Sequence, residues 1–281
     1  MIKLICKMSQ EQLYYFMKKW LSAYKYKIKE IAEGGFIAMG TLPIGLVAHL
    51  DTVGYAPPTE IYHDKEQNVM WSPQLLGADD RAGVYAIIRL VKAGFRPTII
   101  LTLNEETGCL GAKKMAEMDN PLPPHTRYLI QLDRRGSNDA VFYSCNNKKF
   151  IKYITSFGFQ EAQGTYSDIS VLCPSWKICG VNLSVGYYDE HSTNERLFLT
   201  ELYTTIDKVK KMLTQNPPKF KPSFQEYSYK RYSYSDFYCN QKECLVCGEP
   251  ITAATSVKIQ PTKGSVPFRV CEDCYIKYYA N

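Results

Sequence analysis

The sequence predicts an α/β protein, a three-layer sandwich with a mostly parallel central sheet, followed by a small cysteine-rich module. Short apolar runs of strand length alternate with segments of helical period, which is typical of a sheet covered by helices on both faces. Several of the apolar runs end in histidine or carboxylate residues. Two Cys-x-x-Cys pairs near the C-terminus stand apart from this pattern.

Composition narrows the class of protein. The chain has 281 residues, of which 45% are hydrophobic and 22% charged, as in ordinary globular proteins. No apolar run reaches the length of a membrane span, and the apolar stretch at the start is too short for a secretory signal. We therefore expect a cytoplasmic protein with no membrane partner. Its ten cysteines should be mostly reduced, and clustered ones should bind metal.

The net charge of +6 is unevenly distributed. Residues 1–207 contain 22 basic and 22 acidic side chains, whereas residues 208–281 contain 12 basic and 6 acidic ones. A basic C-terminal tail can attract nucleic acid or an acidic protein partner. A solvated basic surface is an equally good interpretation of charge alone.

The first elements follow from apolar periodicity. A helix is predicted from Ser9 to about Glu33, with a capping box between Ser9 and Gln12. Further helices are predicted to end near residues 91, 118, 157, 172 and 213. The predicted strands are Phe36–Met39, Ile44–Leu50, Val69–Trp71, Pro97–Leu103, Tyr128–Leu132, Ala140–Ser144 and Ile178–Val185.

Composition also suggests domain boundaries. Asn216-Pro217-Pro218 ends the α/β pattern, so we place the main domain at residues 1–216. Residues 217–238 are rich in Tyr, Ser and Lys without a clear period and are a predicted linker. Residues 239–281 form the cysteine-rich module.

Polar residues follow five successive segments of the predicted main domain. In parallel α/β sheets the carboxyl ends of the strands meet at one edge, where ligands bind. Histidines and carboxylates converging there fit a two-metal hydrolytic site, because a carboxylate can bridge two ions. Such donors favour zinc, with cobalt or manganese as alternatives. The residues are His49, Asp51, Asp79, Glu105, Glu106, Asp133 and His191.

These motifs resemble a known superfamily. The order His-x-Asp, Gly-Ala-Asp-Asp-Arg-Ala-Gly, Asn-Glu-Glu-Thr-Gly, Leu-Asp and a late His is similar to the di-zinc exopeptidases. That group includes peptidase T, glutamate carboxypeptidases, succinyl-diaminopimelate desuccinylase, and bacterial leucyl and glutamyl aminopeptidases. The resemblance covers residues 40–213 and implies hydrolysis of a peptide or amide bond.

The resemblance also implies a role for each residue. His49 and Asp133 would hold one zinc ion, Glu106 and His191 would hold the second, and Asp79 would bridge the two. Asp51 would orient His49. Glu105 would be the general base that takes a proton from the attacking water.

The chain is shorter than many of these relatives. Only 57 residues separate Asp133 from His191, and 27 separate Asp51 from Asp79. A lid domain of about 100 residues does not fit in the first interval. We therefore expect a compact version with a single core.

Three further residues are candidates for substrate binding. Ser167 and Asp168 lie in a Gly-Thr-Tyr-Ser-Asp stretch that resembles a loop near the substrate in relatives, although a helix N-cap explains them equally well. Arg134 follows a proposed ligand and can grip a carboxylate with two hydrogen bonds. A surface arginine that offsets the acidic site is the alternative.

The cysteine-rich module predicts one structural zinc ion. Cys244, Cys247, Cys271 and Cys274 form two Cys-x-x-Cys pairs, and four thiolates close a tetrahedral zinc site, as in a zinc ribbon. Cys239 is an alternative ligand. The module could bind nucleic acid, bind a protein, or pack on the main domain.

We therefore expect a zinc-dependent amide hydrolase, an aminopeptidase or dipeptidase acting on a small peptide. A deacylase of N-acyl amino acids is the nearest alternative. A catalytically inactive metal-binding scaffold, whose ribbon binds nucleic acid or protein, is the alternative from a different class.

Overall fold

The structure is a computed structural model that describes residues 1–54, 56–143, 145–224, 244, 250–252, 255–259 and 268–278. It contains two compact units, Met1–Gln225 and Glu226–Asn281.

The first unit is organised around an eight-stranded sheet. Its strands are β1 (Lys27–Ile31), β2 (Gly35–Met39), β3 (Ile44–His49), β6 (Thr98–Thr102), β7 (Tyr128–Arg134), β8 (Asp139–Val141), β9 (Gln160–Ala162) and β10 (Cys179–Ser184). Their order is β1-β2-β6-β3-β7-β10-β8-β9. The four central strands, β6, β3, β7 and β10, are parallel to one another. The predicted mostly parallel sheet is therefore confirmed.

Helices cover both faces of this sheet. They are α1 (Ile2–Cys6), α2 (Gln10–Ala23), α3 (Ala78–Lys92), α4 (Leu110–Ala116), α5 (Lys148–Thr155), α6 (Asp168–Trp176) and α7 (Leu199–Leu213). Alternate residues of β3 belong to different cores, as strand geometry requires. Leu46 packs with residues of α3 and α7, whereas Val47 packs with residues of α4 and α6. These two cores make the molecule a three-layer sandwich, as predicted.

A second, smaller sheet was not predicted, although one of its strands, Val69–Trp71, was. It consists of β4 (Tyr62–Asp64), β5 (Val69–Trp71), β11 (Tyr187–Tyr188) and β12 (Arg196–Phe198), in the order β11-β12-β5-β4. All of its pairs are antiparallel. It brings the loop between β11 and β12, which contains His191, next to a segment more than a hundred residues earlier.

The predicted N-terminal helix is too long. Helix α2 ends at Ala23, and the residues that follow form β1, which pairs with β2 in antiparallel orientation. Lys27 and Lys29 of β1 are exposed, as expected for an edge strand protected by charge. Strands β2 and β3 are consecutive in the chain but do not pair with each other, because β6 lies between them.

Helix α3 lies unusually close to the sheet. A Cβ atom at Gly83 would be 2.2 Å from the carbonyl oxygen of Leu132 and 2.4 Å from Asp80 Oδ1. Only glycine permits this approach. The contact brings the start of the helix, with Asp79 and Asp80, against the end of β7.

The residues after 216 do not all behave as the predicted linker. Phe220 is buried and packs with Tyr128, Phe150 and Tyr153. Residues 217–224 therefore contribute to the core of the first unit. The rest of the predicted linker, residues 225–238, lies outside the described residues.

In the second unit, β13 (Ser256–Ile259) pairs with β14 (Phe268–Cys271) in an antiparallel hairpin, and a helix, α8 (Glu272–Tyr278), follows. Cys244, Ile251, Val270 and Cys274 form a small core. Across the described parts of both units, no helix is long and apolar enough to span a membrane.

Candidate metal centre

The candidate residues of the main domain meet at the carboxyl edge of the parallel strands. His49 is the last residue of β3, and Asp133 lies near the end of the neighbouring β7. Glu105 and Glu106 follow β6, which lies on the other side of β3. The start of α3 contributes Asp79. Loops from separate parts of the chain are thus brought to one place by the strand order.

Asp79 lies between the two histidines. Its Oδ1 is 3.0 Å from His49 Nε2, and its Oδ2 is 3.2 Å from His191 Nε2. Asp133 Oδ1 lies 3.5 Å from His49 Nε2, and Glu106 Oε2 lies 3.0 Å from His191 Nε2. The arrangement is two groups of three donors that share one carboxylate.

The chemistry of these donors suits divalent cations. In each group one ligand atom from every member lies within 4.8 Å of the others, the groups being His49, Asp79, Asp133 and Asp79, Glu106, His191. Several carboxylates that are buried together need cations, because water no longer screens their repulsion. The imidazoles are the only cationic partners that these carboxylates contact among the described residues. The residues therefore fit a pair of metal ions.

The pKa values of the site reflect this crowding. Burial, together with the charge of Asp79, raises the pKa of Asp133 well above its usual range. Burial also acts to raise the pKa of Asp79, but hydrogen bonds from His191 and His49 outweigh it and lower that pKa. Hydrogen bonds to Asp79 and Glu106 raise the pKa of His191 to about 10. The directions of these shifts are those expected of crowded carboxylates that need positive charge beside them.

Asp51 links the two sides of the centre. Its Oδ1 lies 3.2 Å from His49 Nδ1. The same carboxylate accepts hydrogen bonds from the backbone N–H groups of Glu105, at 2.9 Å, and Glu106, at 3.0 Å. A single buried side chain therefore positions both the imidazole and the loop with the two glutamates.

Glu105 lies beside the two donor groups. One of its carboxylate oxygens comes within 4.8 Å of ligand atoms of His49 and Glu106. Its Oε1 accepts a hydrogen bond from the thiol of Cys109 at 3.3 Å. Burial raises the pKa of Glu105, and the neighbouring charge of Glu106 adds to this.

Ser167 and Asp168 are both buried and lie behind the centre. Ser167 Oγ donates to Asp133 Oδ2 at 3.1 Å, and Asp168 Oδ2 accepts from the hydroxyl of Thr102. Ser167 is also the N-cap residue of α6. These contacts favour support of the site and a helix cap over direct contact with substrate.

A cavity of about 170 Å³ opens beside the centre, and Arg134 and Arg135 line it. Arg134 donates to the carbonyl of Gln163 at 3.2 Å, and its Nε lies 3.6 Å from Asp139 Oδ2. Its predicted contact with substrate stays a prediction.

Sequence reasoning did not single out Glu195. This side chain is only 2% exposed and lies in the loop that carries His191. Its carboxylate accepts hydrogen bonds from the backbone N–H groups of Gly77, at 2.7 Å, and Asp79, at 3.0 Å. Glu195 therefore joins the segment of one proposed ligand to the segment of another. The one signal in the sequence was its position four residues after His191. Spacing alone does not distinguish a buried glutamate that joins two backbone segments from a surface glutamate.

Arg81 and Asp80 were also missed as supports. The guanidinium of Arg81 donates to the carbonyls of Leu50, Asp51, Ile5 and Met8. Asp80 accepts from the backbone N–H of His49 at 3.2 Å and from that of Gly83 at 2.9 Å. Asp80 therefore connects the start of α3 with the strand of His49.

Three of the four predicted cysteine ligands of the second unit come together. Sulfur atoms of Cys244, Cys271 and Cys274 lie within 4.8 Å of one another. Cys247 and the alternative ligand Cys239 lie outside the described residues.

Comparison with known proteins identifies the class of the main domain. Residues 40–169 match the family described as Peptidase family M28. The match covers 130 of the 281 residues. It agrees with the resemblance to metal-dependent exopeptidases and supports a peptide-bond hydrolase by class. A search of curated proteins found no match.

Several solved structures share the fold of this chain. A tripeptidase from Staphylococcus aureus superimposes with a TM-score of 0.60 at 14% identity, over 75% of this chain and 95% of that one. Aminopeptidase PepT from Bacillus cereus gives 0.60 at 16% identity, over 75% and 96%. A TET aminopeptidase from a marine-sediment Thaumarchaeota archaeon gives 0.58 at 14% identity, over 76% and 95%.

Replacing Glu195 by glutamine should weaken metal binding. Glutamine keeps one acceptor oxygen, so one buried N–H loses its partner, at a cost of about 1–3 kcal/mol. Loss of a residue that orients a ligand typically lowers metal affinity about 10–100-fold. Competition with a chelator would measure zinc affinity. Glu201→Gln is the control, since within the described residues Glu201 accepts a side-chain hydrogen bond from the Tyr188 hydroxyl alone. Unchanged zinc affinity in Glu195→Gln would contradict the proposed role of Glu195 in joining the two ligand segments.

Proposed function

We propose that this protein is a zinc-dependent aminopeptidase or dipeptidase that hydrolyses small peptides with two zinc ions and Glu105 as the general base. The observation that carries the proposal is the position of Asp79, whose two oxygens face His49 and His191 at 3.0 and 3.2 Å. A carboxylate so placed is suited to bridge two ions.

In this proposal His49 and Asp133 hold one ion, Glu106 and His191 hold the other, and Asp79 is shared. Nitrogen and oxygen donors of this kind favour zinc, with cobalt or manganese as alternatives. When bound, two such ions would polarise the scissile carbonyl and make the attacking water more acidic.

The chain supplies the proton transfer. Glu105 is not needed in either group of three donors, so its carboxylate is available to accept a proton from the attacking water. The same oxygen then delivers that proton to the nitrogen of the leaving amine as the C–N bond breaks. Asp51 keeps Glu105 in position through the hydrogen bond to its backbone N–H.

The Glu105→Gln variant tests the base directly. Because glutamine cannot accept the proton, kcat should fall by about 10²–10⁴-fold, while the zinc content of the main domain stays the same. Glu106→Gln is the matched control, one residue further along, and should lose zinc as well as activity. Hydrolysis of aminoacyl amides and zinc content would be measured on both.

Two outcomes would overturn this assignment. Loss of zinc from Glu105→Gln would make Glu105 a ligand. Absence of turnover in wild-type protein that holds both metals, on peptides and on N-acyl amides, would favour the inactive scaffold.

The lining of the cavity favours a substrate with a free amino end. Arg135 Nη1 lies 3.2 Å from Glu190 Oε1, and Arg134 is engaged with Asp139 and Gln163. Glu190 lines the same cavity, so its carboxylate borders the space beside the centre. An ammonium group is the natural partner for a carboxylate, whereas an N-acyl group carries no charge to offer.

Glu190→Gln should therefore raise KM for aminoacyl amides by roughly ten-fold, the effect of losing one charged hydrogen bond of about 1.4 kcal/mol. The kcat value should change little. N-acylated versions of the same amides serve as the comparison, because they lack the ammonium group. Faster hydrolysis of the N-acyl series by the wild type would favour the deacylase alternative.

For the second unit, we propose a structural zinc site made by Cys244, Cys247, Cys271 and Cys274. The convergence of three of these sulfur atoms within 4.8 Å supports it. A module of this size has a small core, so a metal would supply much of its stability.

The Cys271→Ser variant should lower the zinc content from about three ions per chain to about two. Metal analysis by atomic emission measures this. Cys6→Ser is the control, since Cys6 is a buried cysteine of the first unit and should leave the count unchanged. A zinc content that does not fall in Cys271→Ser would refute the cysteine site.

A further inference from the structure

The positive charge of the chain belongs to the first unit. Residues 208–225 contain five lysines and no acidic residue, whereas residues 226–281 contain seven basic and six acidic side chains. The excess expected for a basic C-terminal tail therefore lies within Met1–Gln225. The cysteine-rich unit is nearly neutral.

Two of these five lysines, together with three others, line one open cavity. The cavity has a volume of about 910 Å³ and contains no acidic residue in its lining; its lysines are Lys148, Lys149, Lys152, Lys219 and Lys221. All five are exposed. Among the described residues, none forms an ion pair. No carboxylate in the part of the chain that the structure describes therefore neutralises these charges.

The backbone on both sides of the cavity is held in place. Asn147 caps α5 by accepting from the N–H of Phe150, and its Nδ2 donates to the carbonyl of Lys221 at 2.7 Å. Phe220, which lies between Lys219 and Lys221 in the chain, is buried against Phe150 and Tyr153. These contacts hold the backbone segments that carry the lysines.

The spacing of the lysines matches a linear polyanion. Lys148 and Lys152 are four residues apart on a helix, a rise of about 6 Å. Lys219 and Lys221 lie on either side of Phe220 in the chain, a spacing of at most about 6.6 Å when the backbone is extended. Both spacings are close to the separation of successive phosphates along one nucleic acid strand. A single phosphate or carboxylate would instead be bound by charges that converge on one point.

The lining argues against a protein partner. Protein interfaces usually depend on exposed aromatic or aliphatic anchors. None of the large exposed apolar side chains among the described residues lines this cavity. The cavity combines lysine charge with a lining that is mostly apolar and includes the half-buried Tyr153, on which a base can stack.

We propose that this lysine-lined cavity binds the phosphate backbone of single-stranded nucleic acid. It lies at the opposite edge of the sheet from the metal centre, because Phe220 packs on Tyr128, the first residue of β7, whereas Asp133 lies near the end of that strand. Binding there leaves the peptidase site open. The proposal does not depend on the proposed peptidase activity.

Fluorescence anisotropy of labelled polythymidine and polyuridine with the full chain would test the proposal. Five phosphate contacts predict a slope of log K against log salt near −3.5, at about −0.7 for each contact on a single strand. Lys219→Gln/Lys221→Gln should weaken binding roughly ten-fold at about 50 mM salt and bring the slope to about −2.1.

Lys27→Gln/Lys29→Gln is the matched control, since it removes two exposed lysines of the same spacing from the edge strand β1. It should retain the wild-type affinity and slope. An equal loss in both double variants would mean that only net charge matters, and no binding at low salt would also overturn the proposal. Polyglutamate that competes as well as the oligonucleotide at equal charge would reassign the cavity to acidic proteins.

Discussion

The repulsion between buried carboxylates is the constraint on which the rest of the site depends. Asp79 and Asp133 are each 9% exposed or less, and Glu106 and Glu105 lie within a few ångströms. Such a group is unfavourable unless cations offset it. A pair of divalent ions, held by these carboxylates and by the neutral imidazoles of His49 and His191, would supply that compensation. A cluster of this kind is difficult to explain as a feature that serves stability alone.

The surrounding residues keep the carboxylates where repulsion would separate them. Asp51 accepts hydrogen bonds from two backbone N–H groups of the loop that contains Glu105 and Glu106. Glu195 accepts hydrogen bonds from the backbone at the start of α3 in the same way. Gly83 allows α3 to approach β7 so closely that Asp80 reaches the backbone of His49. Each support connects parts of the chain that are distant in sequence, so the site depends on the fold being complete.

The sequence was most informative where chemistry and topology coincide. His49, Asp79, Glu105, Glu106, Asp133 and His191 could be predicted because strand ends in a parallel sheet meet at one edge. Glu195 and Arg81 could not be predicted, because their partners are backbone groups. A pattern of side chains in the sequence does not show which backbone groups lie near one another. Strand β1 was assigned to a helix since its apolar residues continue the preceding helical period for about one turn. The small second sheet was missed because two- and three-residue strands carry almost no periodic signal.

Arg81 has a consequence for which sequences this architecture tolerates. Its guanidinium is 2% exposed and donates to four carbonyl oxygens, from α1, the loop that follows it, and the end of β3. A lysine carries the same charge, but its compact ammonium cannot reach acceptors that lie on several sides of a planar group. Among homologous chains, position 81 should therefore vary less than several residues that lie nearer to the reacting atoms.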